Sequence, residues 1–231
     1  METTTSRDGS SELHRLISLM TGDEKHSAAA TSTLDVLWVL YTRVLDIDPE
    51  SPSDPVRDRL YLSKGHGPMA YYAVLAARGF IDESLLTTWT AFDSPLGTHP
   101  DRVLIPGVEV SSGSLGHGLG LAVGATLALR ARHLAAPRVL CLLGDGELDE
   151  GSNLEAIQFA GRMELDRLTA IVIDNRSSTH GWPGGIGLRF TTEGWTVDEI
   201  DGTDHEEIEA AFADQPRRGP HAVIARVPRR A

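Results

Sequence analysis

The sequence predicts an α/β domain built on a parallel sheet with helices on both faces. Two observations carry this. Short apolar runs bounded by turn residues, Arg138 to Leu143 and Leu168 to Asp174, read as strands buried on both sides. They alternate with segments of helical periodicity, the signature of strand-helix-strand units. The chain has 231 residues, enough for one domain with a substantial core.

In chain order, METTTSRDGSSE is polar and without an apolar signal core, so residues 1–12 are expected to form a disordered tail and 13–231 a single domain. Ser11 to Thr21 reads as a helix stopped by Gly22, and His26 to Leu45 as another, with apolar residues at Leu34, Leu37, Leu40, Tyr41 and Val44. Leu60 to Ser63 is short and extended. Pro68 to Arg78 is helical with Gly79 as its stop, and Leu85 to Phe92 is a further helical segment. Pro95 to Ser114 is loop-rich. Leu115 to His133 reads as a buried helix, too short and too interrupted by charge for a membrane span. After the strand at 138–143 come a helix over Glu150 to Met163, the strand at 168–174, a strand over Trp195 to Ile200, a helix around Glu206 to Phe212, and a strand over Ala222 to Val227.

Net charge is -12 and Lys and Arg occur only in short pairs, which argues against double-stranded nucleic acid as a partner. The one cysteine, Cys141, lies in an apolar run, so no internal disulfide is possible and a cytoplasmic, reducing setting fits.

The stretch LLGDGELDEG (142–151) puts four acids just beyond a buried strand. Ligands in such sheets sit beyond the carboxyl ends of the strands. Asp145 follows one strand and Asn175 follows the next, after roughly thirty residues, the usual size of a strand-helix-strand unit. If the two strands are neighbours, a carboxylate and an amide oxygen face one crevice. These hard donors suit magnesium or calcium and leave positions for phosphate oxygens. A solvated turn aspartate and a capping asparagine are the alternative. Gly144 and Gly146 allow the turn and a close ligand. Asp149 is expected to favour the start of the helix that follows. On this reading a metal, not a basic residue, screens the anion.

Three histidines, His66, His99 and His117, occupy glycine- or proline-flanked loops, and His26 opens a helix. Without cysteine partners or zinc spacing, they suit proton transfer and polar substrate binding. His14, His133, His205 and His221 read as surface residues.

The segments SKGHGPMAYYAVLAARGF (63–80), THPDRVLIPGVEVSSGSLGHGLGLAVG (98–124) and GDGELDEGSNLEA (144–156), with Asn175, together resemble the amino-terminal, thiamine-diphosphate-binding half of transketolase. The likeness runs from about Leu13 to Val227. It implies a PP-type fold and a thiamine diphosphate cofactor held through Mg2+ (or Ca2+). It implies metal ligation by Asp145, Asn175 and the Ser177 carbonyl, and a cofactor lined by His66, Gly113, Ser114, Leu115 and Gly146. It implies catalytic roles for His26, His66, His99 and Glu150, the last at the subunit interface and linked to the partner's activating glutamate.

The resemblance also implies an amino-terminal subunit of a split transketolase, which passes a two-carbon ketol unit from a ketose to an aldehyde. The pyrimidine-binding domain would then come from a separate carboxyl-terminal subunit, in a heterotetramer, with sugar or sugar-phosphate substrates and no nucleic acid or membrane. Three departures imply a specialised ketol transfer. The chain ends at Pro228-Arg229-Arg230-Ala231 where the family has a further histidine. Arg176-Ser177-Ser178-Thr179-His180-Gly181 replaces bulkier aliphatic residues, and His26-Ser27-Ala28-Ala29 replaces a glycine pair. The alternatives are a pyruvate-using carboligase resembling deoxyxylulose phosphate synthase, and a non-catalytic cofactor-binding subunit.

Overall fold

The computed structural model describes residues 5–21, 32–178, 180–213 and 218–228, with residues 5–10 described by backbone alone. Its centre is a five-stranded sheet: β1 (Arg59–Leu62), β2 (Val139–Gly144), β3 (Leu168–Asp174), β4 (Thr196–Asp201) and β5 (His221–Arg226). The order is β1-β2-β3-β5-β4 and every pairing is parallel. The expected parallel sheet with helices on both faces is present.

The uniform apolar runs resolve into two alternating sets. Leu140, Leu142, Ile171, Ile173, Val223 and Ala225 face one core, packed with residues of α1 (Thr5–Ser18), α2 (Leu34–Val39), α3 (Met69–Ala77) and α7 (His205–Ala211). Cys141, Leu143, Ala170, Val172, Ala222 and Ile224 face the other, under α4 (His117–Ala131), α5 (Gly151–Arg162) and α6 (Gly185–Thr192). Successive strand residues point to opposite faces, and both faces are covered, so the runs stay apolar apart from the half-buried Thr169 near the start of β3.

Four expectations need correction. Of the polar segment assigned to a tail, residues 1–4 lie outside the described residues and 5–12 carry helical backbone, because α1 begins at Thr5. The helix over Leu115 to His133 is not buried all round. Leu121 is half exposed, and a Cβ on Gly120 or Gly124 would meet nothing within 4 Å. His221 is no surface residue: it is 2% exposed and its Nε2 lies 2.9 Å from Asp198 across the β4–β5 pair. The helix placed at Leu85 to Phe92 is a 3-10 helix at Glu83–Thr88, started by the Asp82 carboxylate accepting from the Ser84 N–H.

One close approach fixes α5 on the sheet. Trp195 Nε1 donates to the Ile157 carbonyl at 2.9 Å, and a Cβ on Gly161 would stand 1.7 Å from the Glu193 carbonyl oxygen. That oxygen is backbone and cannot swing aside. Gly161→Ala is therefore expected to destabilise the chain by about 3 kcal/mol, the upper range for overpacking. Urea denaturation measures this directly, and a midpoint equal to wild type would refute the contact.

Candidate active site

Three strand ends converge. β1 releases Ser63 to His66, β2 releases Asp145 to Glu147, and β3 releases Asn175 to Ser178. β2 and β3 are hydrogen-bonded neighbours in register, so Asp145 and Asn175 leave adjoining strands at one edge, as the spacing predicted.

Asp145 is 1% exposed. Its Oδ1 accepts from the Gly146 N–H at 2.9 Å and the Ser177 hydroxyl at 2.5 Å. Its Oδ2 accepts from the Ser177 and Ser178 N–H groups at 2.7 and 3.1 Å. Arg176 adopts φ 59°, a left-handed conformation costing about 1 kcal/mol or more for a non-glycine residue. The chain thus turns sharply one residue before the two amides that cap Asp145. Asn175 Oδ1 is sealed from solvent with no hydrogen-bond partner. The Ser177 carbonyl oxygen would lie 3.6 Å from a Cβ on Gly146, an ordinary contact distance, so the carbonyl and the Gly146 turn stand side by side.

This donor set fits a hard divalent cation: one carboxylate, one unsatisfied amide oxygen, and carbonyl oxygen beside a glycine turn. A cation would take the place of the Ser177 hydroxyl, the one donor to Asp145 that rotates freely. No cluster of three or more His, Cys, Asp or Glu side chains suited to a metal exists among the described residues, so a mixed oxygen set is what the site offers.

The histidines divide. The rings of His66 and His99 meet edge to face, 4.9 Å between centroids. His99 packs against Gly113, whose φ of 128° and space for a Cβ only 3.0 Å from the ring both demand glycine. A Cβ on Gly65 would come within 2.2 Å of Ser112 Oγ, so the loops bearing the two histidines touch through glycine. His117 sits exposed at the first turn of α4, apart from this pair. His26 lies outside the described residues. Ser114 and Leu115 are exposed beside Gly113, Leu115 by 37%. Glu150 is exposed at the N-cap of α5, with its stem where a Cβ on Gly116 would stand.

Two buried residues at this edge are not marked out by the sequence. Glu147, 3% exposed, accepts from the Ser63 hydroxyl, the Gly116 N–H at 2.9 Å and the Gly144 N–H at 3.3 Å. Ser63 Oγ in turn accepts from the Gly118 N–H at 3.0 Å. One carboxylate therefore ties together the loops after β1, before α4 and after β2. Burial pushes its carboxyl above the ordinary value, against the donors and Lys64, which pull it down. Lys64 is the second, 9% exposed, with burial lowering its ammonium and Asp145 and Glu147 raising it. Both stand in the quoted motifs. A buried strand running straight into Ser-Lys and into Gly-Asp-Gly-Glu was the available signal.

Among the described residues no helix is long and apolar enough to cross a membrane. The family profile described as "Transketolase, thiamine diphosphate binding domain" matches residues 16–226. The chain is 58% identical to ferredoxin fas2 of Rhodococcoides fascians, over 94% of this chain and 72% of that protein. It is 39% identical to an apulose-4-phosphate transketolase subunit of Actinobacillus succinogenes, over 87% of this chain and 75% of that one. The transketolase of Campylobacter jejuni superposes with a TM-score of 0.74 at 27% identity, covering 94% of this chain but 37% of its own. A single cysteine cannot supply the four thiolates of an iron–sulfur cluster, so nothing in this sequence matches the first relative's name. With its sheet, its glycine-flanked oxygen site and residues 16–226 all agreeing, the chain belongs to the transketolase family, through the thiamine-diphosphate-binding domain.

Proposed function

We propose that this chain is the cofactor-holding subunit of a two-component, thiamine-diphosphate-dependent transketolase, working in the cytoplasm with a separate polypeptide that carries the pyrimidine-binding domain. The single observation that carries this is the unsatisfied Asn175 oxygen beside Asp145 at the joined ends of β2 and β3. The Actinobacillus relative, itself named as one subunit of a transketolase and matched over three quarters of its length, supports a split enzyme. So does the apolar face of α4 and α5, where Leu121 and Phe159 are about half exposed and a Cβ on Gly120, Gly124 or Gly151 would meet nothing in this chain. A face of this composition suits burial against a second polypeptide, and we place it within a heterotetramer of two copies of each chain.

Asp145, Asn175 and the Ser177 carbonyl would hold magnesium or calcium and, through it, the diphosphate. Gly146 lets phosphate approach the backbone. Gly113, Ser114 and Leu115 line the cofactor. When bound, thiamine diphosphate supplies the nucleophilic carbon and the electron sink for ketol transfer. His66 and His99, on touching loops, donate to sugar oxygens as negative charge develops and bind the donor's hydroxyls. The resemblance assigns proton exchange to His26 and a link to the partner's activating acid to Glu150.

The test is reconstitution with the partner polypeptide, thiamine diphosphate and Mg2+. Ketoses are expected to be consumed with an aldehyde acceptor, and neither chain is expected to turn over alone. Consumption of pyruvate only would replace this reading with a carboligase. The 58% identical relative's name favours one second reading: in place of transfer to an aldehyde, the two-carbon unit would leave oxidised as glycolate, water supplying the oxygen, with its two electrons taken one each by two equivalents of an iron–sulfur carrier. Ketose consumption dependent on an added one-electron acceptor, without an aldehyde, would decide for it.

A further inference from the structure

We infer that Lys64 is a cofactor-binding residue, its ammonium bonding a phosphate oxygen of the diphosphate beside the metal. The inference rests on the metal–diphosphate reading above and deepens it.

The lysine stem lies across the turn that presents Asp145. A Cβ on Gly144 would stand 3.3, 3.4 and 3.5 Å from Lys64 Cδ, Cε and Cγ. The residue is 9% exposed, and its backbone N–H is fixed to the Leu142 carbonyl at 3.0 Å, in line with β2. Burying an ammonium is costly unless an anion faces it. The two carboxylates nearby attract it, yet neither bonds it: among the described residues the Lys64 ammonium has no hydrogen bond to either, and Asp145 has all four acceptor positions taken. Asp145 takes four donors, from Gly146, Ser177 and Ser178, and Glu147 takes three, from Ser63, Gly116 and Gly144. Among the described residues Lys64 forms no ion pair. Nor is its nitrogen one of the sealed unpaired atoms, as Asn175 Oδ1 is, so a ligand can reach it.

A reachable cation with three donors, its stem packed on the Gly144 turn beside a carboxylate whose acceptors are taken, is a receptor for an anion. The charges agree. Asp145, Glu147 and a diphosphate bring more negative charge than one divalent metal offsets, and Lys64 supplies the remainder locally. The spacing of Asp145 and Asn175 assigned all screening to the metal; the buried lysine revises that.

The probe is magnesium pyrophosphate, titrated calorimetrically into the full chain, which needs no partner and no turnover. Lys64→Met is expected to weaken binding about ten- to hundredfold, the range for a hydrogen bond to a charged group. Lys64→Arg is expected to stay within about threefold. Lys64→Gln carries the same expectation as Met, should the Met variant not fold. Asp145→Ala is the control for the underlying site. Met and Gln variants binding like wild type, while Asp145→Ala does not bind, would overturn the role of Lys64 alone. A wild-type chain that ignores magnesium pyrophosphate, or an Asp145→Ala chain that binds it equally well, would overturn the site and the inference with it.

Discussion

Asp145→Ala is expected to lower turnover of the reconstituted enzyme at least about a thousandfold, because the several kcal/mol that a metal contributes to charge stabilisation depend on this ligand. The substitution removes a carboxylate that is 1% exposed and faces the unsatisfied Asn175 oxygen's strand end. It also removes the acceptor of the Ser177 and Ser178 amides, but Ser177 is exposed and Ser178 half-buried, so water takes over in part and the folding cost stays near about 1 kcal/mol. Asp145→Asn separates the two effects. The amide oxygen keeps an acceptor for the loop, so folding is preserved, but the charge that grips a divalent ion is gone. Thermal melting with and without Mg2+ and thiamine diphosphate is the companion measurement. Wild type should gain stability from the pair of ligands and neither variant should. If Asp145→Ala supports ordinary turnover with the partner chain, the chain is a scaffold.

Much of this was legible beforehand, for identifiable reasons. VLCLL and LTAIVID are apolar without alternation because both faces of β2 and β3 are covered, and that lack of alternation announced a parallel sheet. Asp145 and Asn175 were placed together because one strand-helix-strand unit sets neighbouring strands side by side. What stayed hidden depends on contacts between distant segments. Glu147 looked like one acid among four, since Ser63 and Gly116, its partners, lie 84 and 31 residues away. Lys64 stood in the 63–80 segment without a role, since nothing local says that its stem crosses Gly144. His221 is buried by a pairing with Asp198 on the adjacent strand β4, which sequence order does not show. The start of α1 was lost because its first turns are as polar as a tail, and helicity there is not written in an apolar stripe. For α4 the error ran the other way. Apolar residues on all sides read as burial, while the packing leaves Leu121 exposed.

Glu147→Ala should be among the most destabilising single changes in the chain, at about 3–5 kcal/mol, because it leaves buried donors and a buried cation uncompensated at once. The Ser63 hydroxyl and the Gly116 and Gly144 amides lose their acceptor, and Lys64 loses one of its two nearby negative charges. Glu147→Gln should cost much less, since its oxygen can still accept from Ser63 and Gly116. The pair also yields a pH signature. Burial raises the folded-state value of Glu147 above the ordinary 4.5, so the folded chain holds this proton more tightly than the unfolded chain does. Below 4.5 both states are protonated and the wild type has its full stability. As pH rises past 4.5 the unfolded chain releases the proton first, and stability falls until the folded-state value is passed. Glutamine does not titrate. The melting temperature of wild type relative to Glu147→Gln should therefore drop as pH rises through that window and then level off. Two parallel curves would mean that the carboxyl titrates normally and is not the buried hub that joins the Ser63, Gly116 and Gly144 loops. The same hub fixes the loop of His66 against the turn of Asp145, so the alanine variant should also raise the thiamine diphosphate concentration needed for half-maximal activity. A structural carboxylate remote from the cofactor would leave that concentration unmoved.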